Sequence, residues 1–213
     1  MGNQTYQKFT QTISGDFSSA SYLITAAVLL PGEVILEGLD MADPQGDKIL
    51  IHLLIQMGAN ITINPNNIII HGGKKLMGIK IDAADIPDLL PVLAVIGTQA
   101  LGKTEIHNVK HARIKETDRI KSMSEGLTKL GAKITEHEDG LVIYQSTLKG
   151  SQLNGFGDHR TVMALSIAGL LANGVTQITD SEAIHKTYPT FVETMQSLGA
   201  KIIKPEVKHE TTT

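Results

Sequence analysis

The sequence contains no cysteine and no tryptophan, and it has only 4 tyrosines and 4 phenylalanines in 213 residues. The lack of cysteine excludes disulfides, thiolate metal ligands and cysteine nucleophiles. The shortage of aromatic side chains argues against a surface on which nucleic-acid bases stack. No apolar run reaches the roughly 18 residues of a membrane span, and residues 1–10 lack the apolar core of a signal peptide. We therefore expect a cytoplasmic protein with no nucleic-acid or membrane partner.

An excess of one charge is also missing, because 19 Lys+Arg oppose 22 Asp+Glu and give a formal net charge of -3. Binding to nucleic acid through bulk charge is therefore not expected, although local basic clusters can still hold small anions. Hydrophobic residues make up 41% of the chain, which is ample for a core. No linker rich in proline, glycine or serine divides the sequence. We expect one domain over residues 1–213.

Two sequence patterns recur three times along the chain. The first is an apolar residue followed by Gly-Ala, which marks the end of a helix and the start of a strand. The second is an aspartate that opens an apolar run, as a helix N-cap does. The Gly-Ala triplets are Met57–Ala59, Leu130–Ala132 and Leu198–Ala200, and the aspartates are Asp16, Asp88 and Asp158.

Strand-like runs follow both kinds of helix. The runs after the first helices are Glu33–Leu36, Lys103–Ile106 and Val175–Ile178, and those after the second helices are Asn60–Asn64, Lys133–Glu136 and Lys201–Ile203. Further strands are expected at Asn67–Ile70 and Leu141–Tyr144. The first helices are apolar on nearly all sides and should be buried. The pattern predicts an α/β domain of three repeated units, at about 8–72, 78–146 and 150–204, with sheets around buried helices in pseudo-threefold symmetry. An ordinary open α/β sheet is the alternative.

Basic residues stand where helices are predicted to begin, which opposes the helix dipole. Lys115 and Arg119 are four residues apart, so on one helix face their like charges would destabilise it by about 0.2–0.5 kcal/mol. His159 and Arg160 follow the expected cap Asp158, and Lys186 is the counterpart in the third unit. A solvated charge run, a structural histidine and a surface lysine are the ordinary alternatives.

The functional interpretation is a shared anion site. Repeat symmetry would gather the helix N-termini, and with them Arg119, Arg160 and Lys186, near the carboxylates of Glu116 and Asp88. Such a cluster suits a doubly anionic small substrate together with proton transfer. The first unit has no arginine at these positions, so Asp16 and Asp47 are expected to be structural caps.

Five motifs occur in an order that resembles the EPSP synthase family of enolpyruvyl transferases. They are Gly15–Ala20, Ile86–Asp88, Arg113–Arg119, Gly157–Arg160 and Lys186–Pro189. The resemblance covers nearly the whole chain but only the C-terminal half of the family's proteins, which have two similar domains of three folding units each. It implies a monomer of the shikimate pathway of aromatic amino acid biosynthesis, with the N-terminal half as a partner.

The resemblance also implies a reaction and its residues. The enolpyruvyl group of phosphoenolpyruvate moves to the 5-hydroxyl of shikimate 3-phosphate, without metal or organic cofactor. Asp88, Lys115 and Glu116 match catalytic positions, whereas Lys115, Arg119, Arg160, Lys186, His159 and His111 match substrate-binding positions. His111 departs from the asparagine that is common in the family.

Two other functions remain open at this stage. One is half of the related transferase that acts on UDP-N-acetylglucosamine, whose usual pattern lacks the Lys-Glu-Thr-Asp-Arg and Asp-His-Arg groupings found here. The other is a non-catalytic anion-binding fragment, because half of the expected cleft is absent. For the same reason, the chain alone is expected to be inactive.

Overall fold

Helices and strands are interspersed along the chain in the computed structural model, which describes residues 4–10 and 12–204. The α-helices are α1 (Phe17–Leu29), α2 (Ile49–Gln56), α3 (Leu90–Gln99), α4 (Arg119–Lys129), α5 (His159–Leu171) and α6 (Phe191–Ser197). The strands are β1 (Glu33–Glu37), β2 (Asn60–Ile63), β3 (Asn67–His71), β4 (Lys80–Asp82), β5 (Lys103–His107), β6 (Lys133–His137), β7 (Gly140–Tyr144), β8 (Gln152–Leu153) and β9 (Gln177–Ile178). Short 3₁₀ turns lie at Gly46–Lys48, Pro87–Leu89, Lys110–Ile114 and Ser181–Lys186. The predicted α/β class is confirmed.

The strands form three separate sheets within the described residues. The first sheet is antiparallel, in the order β1-β3-β2. The second has the order β4-β5-β7-β6, in which β4 and β5 are parallel and the other pairs are antiparallel. The third is the parallel pair β8-β9. Alternate apolar residues of β3 and β7 are buried, as a half-buried strand requires.

The apolar helices lie at the centre, where α1, α3 and α5 contact one another. Every residue from Leu90 to Thr98 of α3 is buried, as its uniformly apolar sequence predicts. Asp16 caps α1 and Asp158 caps α5 through their carboxylates, as expected. The expectation that Asp88 is a cap is wrong, because α3 begins beyond a 3₁₀ turn and its N-cap is Leu89. Among the described residues, no helix is both long and apolar enough to cross a membrane.

The third sheet differs most from the sequence predictions. Lys201–Ile203 was expected to be a strand, but it has no regular structure and no neighbouring strand in residues 12–204. Val175–Ile178 forms only the two-residue strand β9. The short parallel strands β4 and β8 were not predicted, because their contact with a neighbour distant in sequence leaves no local periodicity. The remaining strands begin and end within about one residue of the predicted bounds.

Close packing of α4 on α5 determines where the candidate site forms. Gly126 of α4 faces Leu165 of α5, and a Cβ atom at Gly126 would lie only 2.8 Å from the Leu165 side chain. One turn from the helix starts, the hydroxyls of Ser122 and Thr161 are 3.1 Å apart. The missing side chain therefore lets the two helices approach, and their N-termini end up side by side.

Candidate functional site

A buried ion pair joins the starts of α4 and α5. Arg119 is the first residue of α4, and its Nε donates to Oδ2 of the α5 cap Asp158 at 2.7 Å. Their side chains are 1% and 0% exposed. Removing Arg119 would leave the carboxylate of Asp158 as an uncompensated buried charge, so this pair is a structural requirement of the site.

Arg119 also holds two further carboxylates. Its Nη1 donates to Oδ1 of Asp88 at 2.7 Å, and its Nη2 donates to Oε2 of Glu116 at 2.6 Å. Burial alone would lower the pKa of Arg119, but the hydrogen bond and charge of Asp158, with Glu116 and Asp88, raise it above the usual value. Arg119 therefore stays charged and organises three acidic residues from different parts of the chain.

Asp88 gathers the cations in the same way. Besides Arg119, it faces Arg160 Nη2 at 3.1 Å and Lys115 Nζ at 3.6 Å. Burial would raise the pKa of Asp88, but the charges of Arg160, Arg119 and Lys115 together outweigh it and hold the pKa below the usual value. Asp88 is thus an ionised carboxylate at neutral pH and a strong acceptor for a hydroxyl donor.

The predicted repulsion between Lys115 and Arg119 on one helix face is wrong. Helix α4 begins at Arg119, with Asp118 as its cap, and Lys115 lies before it in extended backbone. Both cations instead face Asp88, whose negative charge lies between them. The local conflict seen in the sequence is therefore resolved by a carboxylate from a distant 3₁₀ turn.

Two further predicted residues, Lys186 and His159, lie around the turn that precedes α5. Lys186 was expected at the start of a helix, but it ends a 3₁₀ turn, and α6 begins only at Phe191. Its Nζ donates to the carbonyl oxygen of Gly157 at 2.9 Å. Nδ1 of His159 is buried and has no hydrogen-bond partner in the described part of the chain. Burial lowers the pKa of His159, which keeps the imidazole neutral at physiological pH.

The cations differ in how far their donors are already used. Within residues 4–10 and 12–204, Arg119 is paired with three carboxylates and Arg160 with one, Asp88. Lys186 is exposed and contacts a neutral carbonyl oxygen. Arg160 and Lys186 therefore both retain capacity for an added anion, next to the positive N-terminus of α5.

His111 is not brought into this network. It lies in the 3₁₀ turn Lys110–Ile114 and is exposed. Its ring makes no hydrogen bond or ion pair to the rest of the described chain. The neighbouring Arg113 donates to Asp118 at 2.7 Å and to Glu136 at 2.9 Å.

Two acidic residues that were predicted to be helix caps, Asp158 and Asp47, belong to the site. Asp158 does cap α5, but it also binds Arg119, which its local sequence does not reveal. Asp47 is not a cap: its carboxylate accepts the Ser18 hydroxyl. Burial raises the pKa of Asp47, although the Ser18 hydrogen bond and the charge of Arg160 act against the increase. One feature of the sequence could have indicated that Asp47 belongs to the site: in the first unit it occupies the position that corresponds to the basic segments of the other two units.

Comparisons with known proteins identify the family of the chain. The sequence profile of a family described as EPSP synthase (3-phosphoshikimate 1-carboxyvinyltransferase) matches residues 1–195. Proteins named 3-phosphoshikimate 1-carboxyvinyltransferase from Ruminiclostridium cellulolyticum and Methanocaldococcus jannaschii are 50% and 48% identical to the chain. Each alignment covers 94% of the chain and 47% of the relative, so the chain spans about half the length of the curated relatives it matches.

Solved structures have the same fold. An EPSP synthase from Acinetobacter baumannii superposes with a TM-score of 0.79 at 30% identity, over 88% of the chain and 46% of that structure. The enolpyruvyl transferase NikO from Streptomyces tendae gives a TM-score of 0.72 at 23% identity, over 89% of the chain and 44% of that structure. The second likeness concerns the fold alone.

Proposed function

The chain belongs to the EPSP synthase family, and we propose that it forms one half of a 3-phosphoshikimate 1-carboxyvinyltransferase. Its substrates are then shikimate 3-phosphate and phosphoenolpyruvate, and its partner is the other half of the same enzyme. The observation that carries the proposal is the contact network in which Asp88, Glu116 and Asp158 surround Arg119. It gathers cations and acids from three separate segments, as an anionic substrate that undergoes proton transfer requires.

Arg160 and Lys186 are the first ligands for phosphoenolpyruvate in this proposal. Both retain unused donors, and both lie beside the positive N-terminus of α5. Arg119 contributes its remaining Nη1 hydrogen, and His159 lies next to Arg160. The three positive charges of this network are balanced by its three carboxylates: the cations are Lys115, Arg119 and Arg160, and the acids are Asp88, Glu116 and Asp158. The net attraction for an added anion therefore comes from Lys186 and the dipole of α5.

Asp88, Lys115 and Glu116 carry the chemistry. The 5-hydroxyl oxygen bonds to C2 of phosphoenolpyruvate as its proton passes to Asp88, and C3 receives a proton from the protonated form of Glu116. The C2–oxygen bond to phosphate then breaks, C3 returns a proton to Glu116 to restore the double bond, and the phosphate leaves with the proton that Asp88 had taken. Ionised Asp88 accepts a hydrogen bond from the 5-hydroxyl and orients it, while Lys115 lies beside that proton path and contacts the shikimate phosphate. His111 remains a candidate contact on the shikimate side.

The architecture of the proposed half follows the sequence repeats. We infer a single domain over residues 1–213, with units at about 8–72, 78–146 and 150–204 related by pseudo-threefold symmetry. Support comes from three sheets around three mutually packed apolar helices. A monomeric, cytoplasmic enzyme without a cofactor completes the proposal.

The role of Glu116 is tested by Glu116→Gln in the chain assembled with the other half of a relative. We expect kcat to fall by roughly 10²–10⁴-fold with little change in phosphoenolpyruvate affinity, because the amide cannot deliver a proton. Glu136→Gln is the matched control, since Glu136 also pairs with an arginine, Arg113, at 2.9 Å. Steady-state phosphate release provides both constants. Equal kcat values for the two variants would contradict the assignment.

A further inference from the structure

The turn that precedes α5 contacts all three cations assigned to the phosphoenolpyruvate side. Arg119 Nε donates to Oδ2 of Asp158 at 2.7 Å, and the backbone N–H of Arg160 donates to its Oδ1 at 2.8 Å. Lys186 Nζ donates to the adjacent Gly157 carbonyl oxygen at 2.9 Å. We propose that Asp158 is a positioning residue that fixes these cations relative to one another. This inference rests on the proposed function.

Burial shows how Asp158 would act. Its side chain is 0% exposed, so it does not contact a ligand on the surface and acts through the arginines. Oδ2 binds the guanidinium of Arg119, while Oδ1 caps the helix that carries Arg160 and lies 3.4 Å from Arg119 Nη2. One carboxylate thus couples the side chain of one predicted ligand to the backbone of another.

The backbone of the turn supports the same role. Phe156 and Gly157 both have left-handed backbone, with φ values of 55° and 61°. This conformation is unfavourable for a residue with a side chain, and such strain concentrates where geometry serves function. The Phe156 N–H donates to the Asn154 side chain at 2.6 Å, which helps to hold the turn. The carbonyl that receives Lys186 is therefore fixed in direction.

Asp158→Asn tests the inference because it keeps the size of the side chain. The amide replaces a carboxylate oxygen, so one acceptor of Asp158 is lost and Arg119 loses its buried counter-charge. Asp118→Asn is a matched control: Asp118 caps α4 through the Lys121 N–H at 3.0 Å and pairs with Arg113 at 2.7 Å, outside the cation cluster.

The probe is inorganic phosphate, titrated into the 213-residue chain by calorimetry, with circular dichroism as the folding control. We expect Asp158→Asn to weaken phosphate binding roughly ten- to hundredfold, as small misplacements of binding groups do. Asp118→Asn should bind as the unchanged chain does. In the assembled enzyme, Asp158→Asn should raise KM for phosphoenolpyruvate more than it lowers kcat, which a general loss of folded protein would not do.

A folded Asp158→Asn variant with unchanged phosphate affinity would overturn the inference. If Asp158→Asn does not fold, the phosphate affinity of Gly157→Ala is measured instead. A Cβ atom at Gly157 meets nothing within 4 Å, so this substitution disturbs only the left-handed turn. Weakened binding supports the inference and unchanged binding overturns it. If the unchanged chain does not bind phosphate at all, the proposed anion site itself fails, and the inference fails with it.

Discussion

The chain on its own is expected to fold and to release no phosphate from phosphoenolpyruvate and shikimate 3-phosphate above background. Folding follows from the apolar helices, which bury one another within the chain. The absence of turnover follows from geometry: holding two reactants in attack position supplies about 7–11 kcal/mol of a barrier, and it requires groups on both sides of the substrates. The chain spans about half of its relatives' length and provides one side.

Adding the other half of a relative should restore phosphate release if the two halves dock. The measurement is a phosphate-release assay on the chain, on the other half and on their mixture, with circular dichroism to show that each is folded. Turnover by the chain alone, at the rate of the mixture, would contradict the half-enzyme proposal. A mixture of docked halves that remains inactive would contradict the assignment of function.

Arg119→Ala should lower the free energy of unfolding by about 3–5 kcal/mol, as expected when one partner of a buried ion pair is removed. The substitution leaves Asp158 buried without its counter-charge, and it also takes a partner from Asp88 and Glu116. The sequence alone leads to the opposite expectation, namely a loss of phosphoenolpyruvate binding with little loss of stability. Urea denaturation followed by circular dichroism gives the value.

Arg113→Ala is the control for this measurement. Arg113 also pairs with two carboxylates, Asp118 and Glu136, but all three side chains are partly exposed. Its removal should change the free energy of unfolding by only about 0–1 kcal/mol. Equal effects of the two substitutions would show that burial of the Arg119 network does not determine stability.

Local patterns in the sequence were sufficient to predict most of the fold. The glycine after each helix and the apolar faces of β3, β5 and β7 depend on neighbours a few residues away, so their periodicity is visible in the sequence. The strands β4 and β8 were not predicted, because each pairs in parallel with a strand that is distant in sequence and so leaves no local pattern. The start of α4 also differs from the prediction, which placed Lys115 and Arg119 on one helix. In the structure α4 begins at Arg119, directly after its cap Asp118.

The residue types of the site could be predicted, but their pairing could not. Basic residues at Lys115, Arg119 and Arg160 violate the helix-dipole preference, and this signals a cluster. Which carboxylate compensates each one depends on the packing of α4 against α5 and on the 3₁₀ turn that carries Asp88. The sequence therefore predicts a simple cap at Asp158 and an open ligand at Arg119, whereas the structure pairs the two side chains.

The proposed anion site is tested most directly by titrating the ¹⁵N-labelled chain with phosphoenolpyruvate and recording two-dimensional NMR spectra. We expect the largest shift changes at the amides of Gly157, His159 and Arg160 and in the segment that ends at Lys186. The side-chain Nε–H of Arg119 should shift less, because Asp158 holds it. The largest changes at another surface, such as the lysines of β4 and β5, would contradict the proposed anion site.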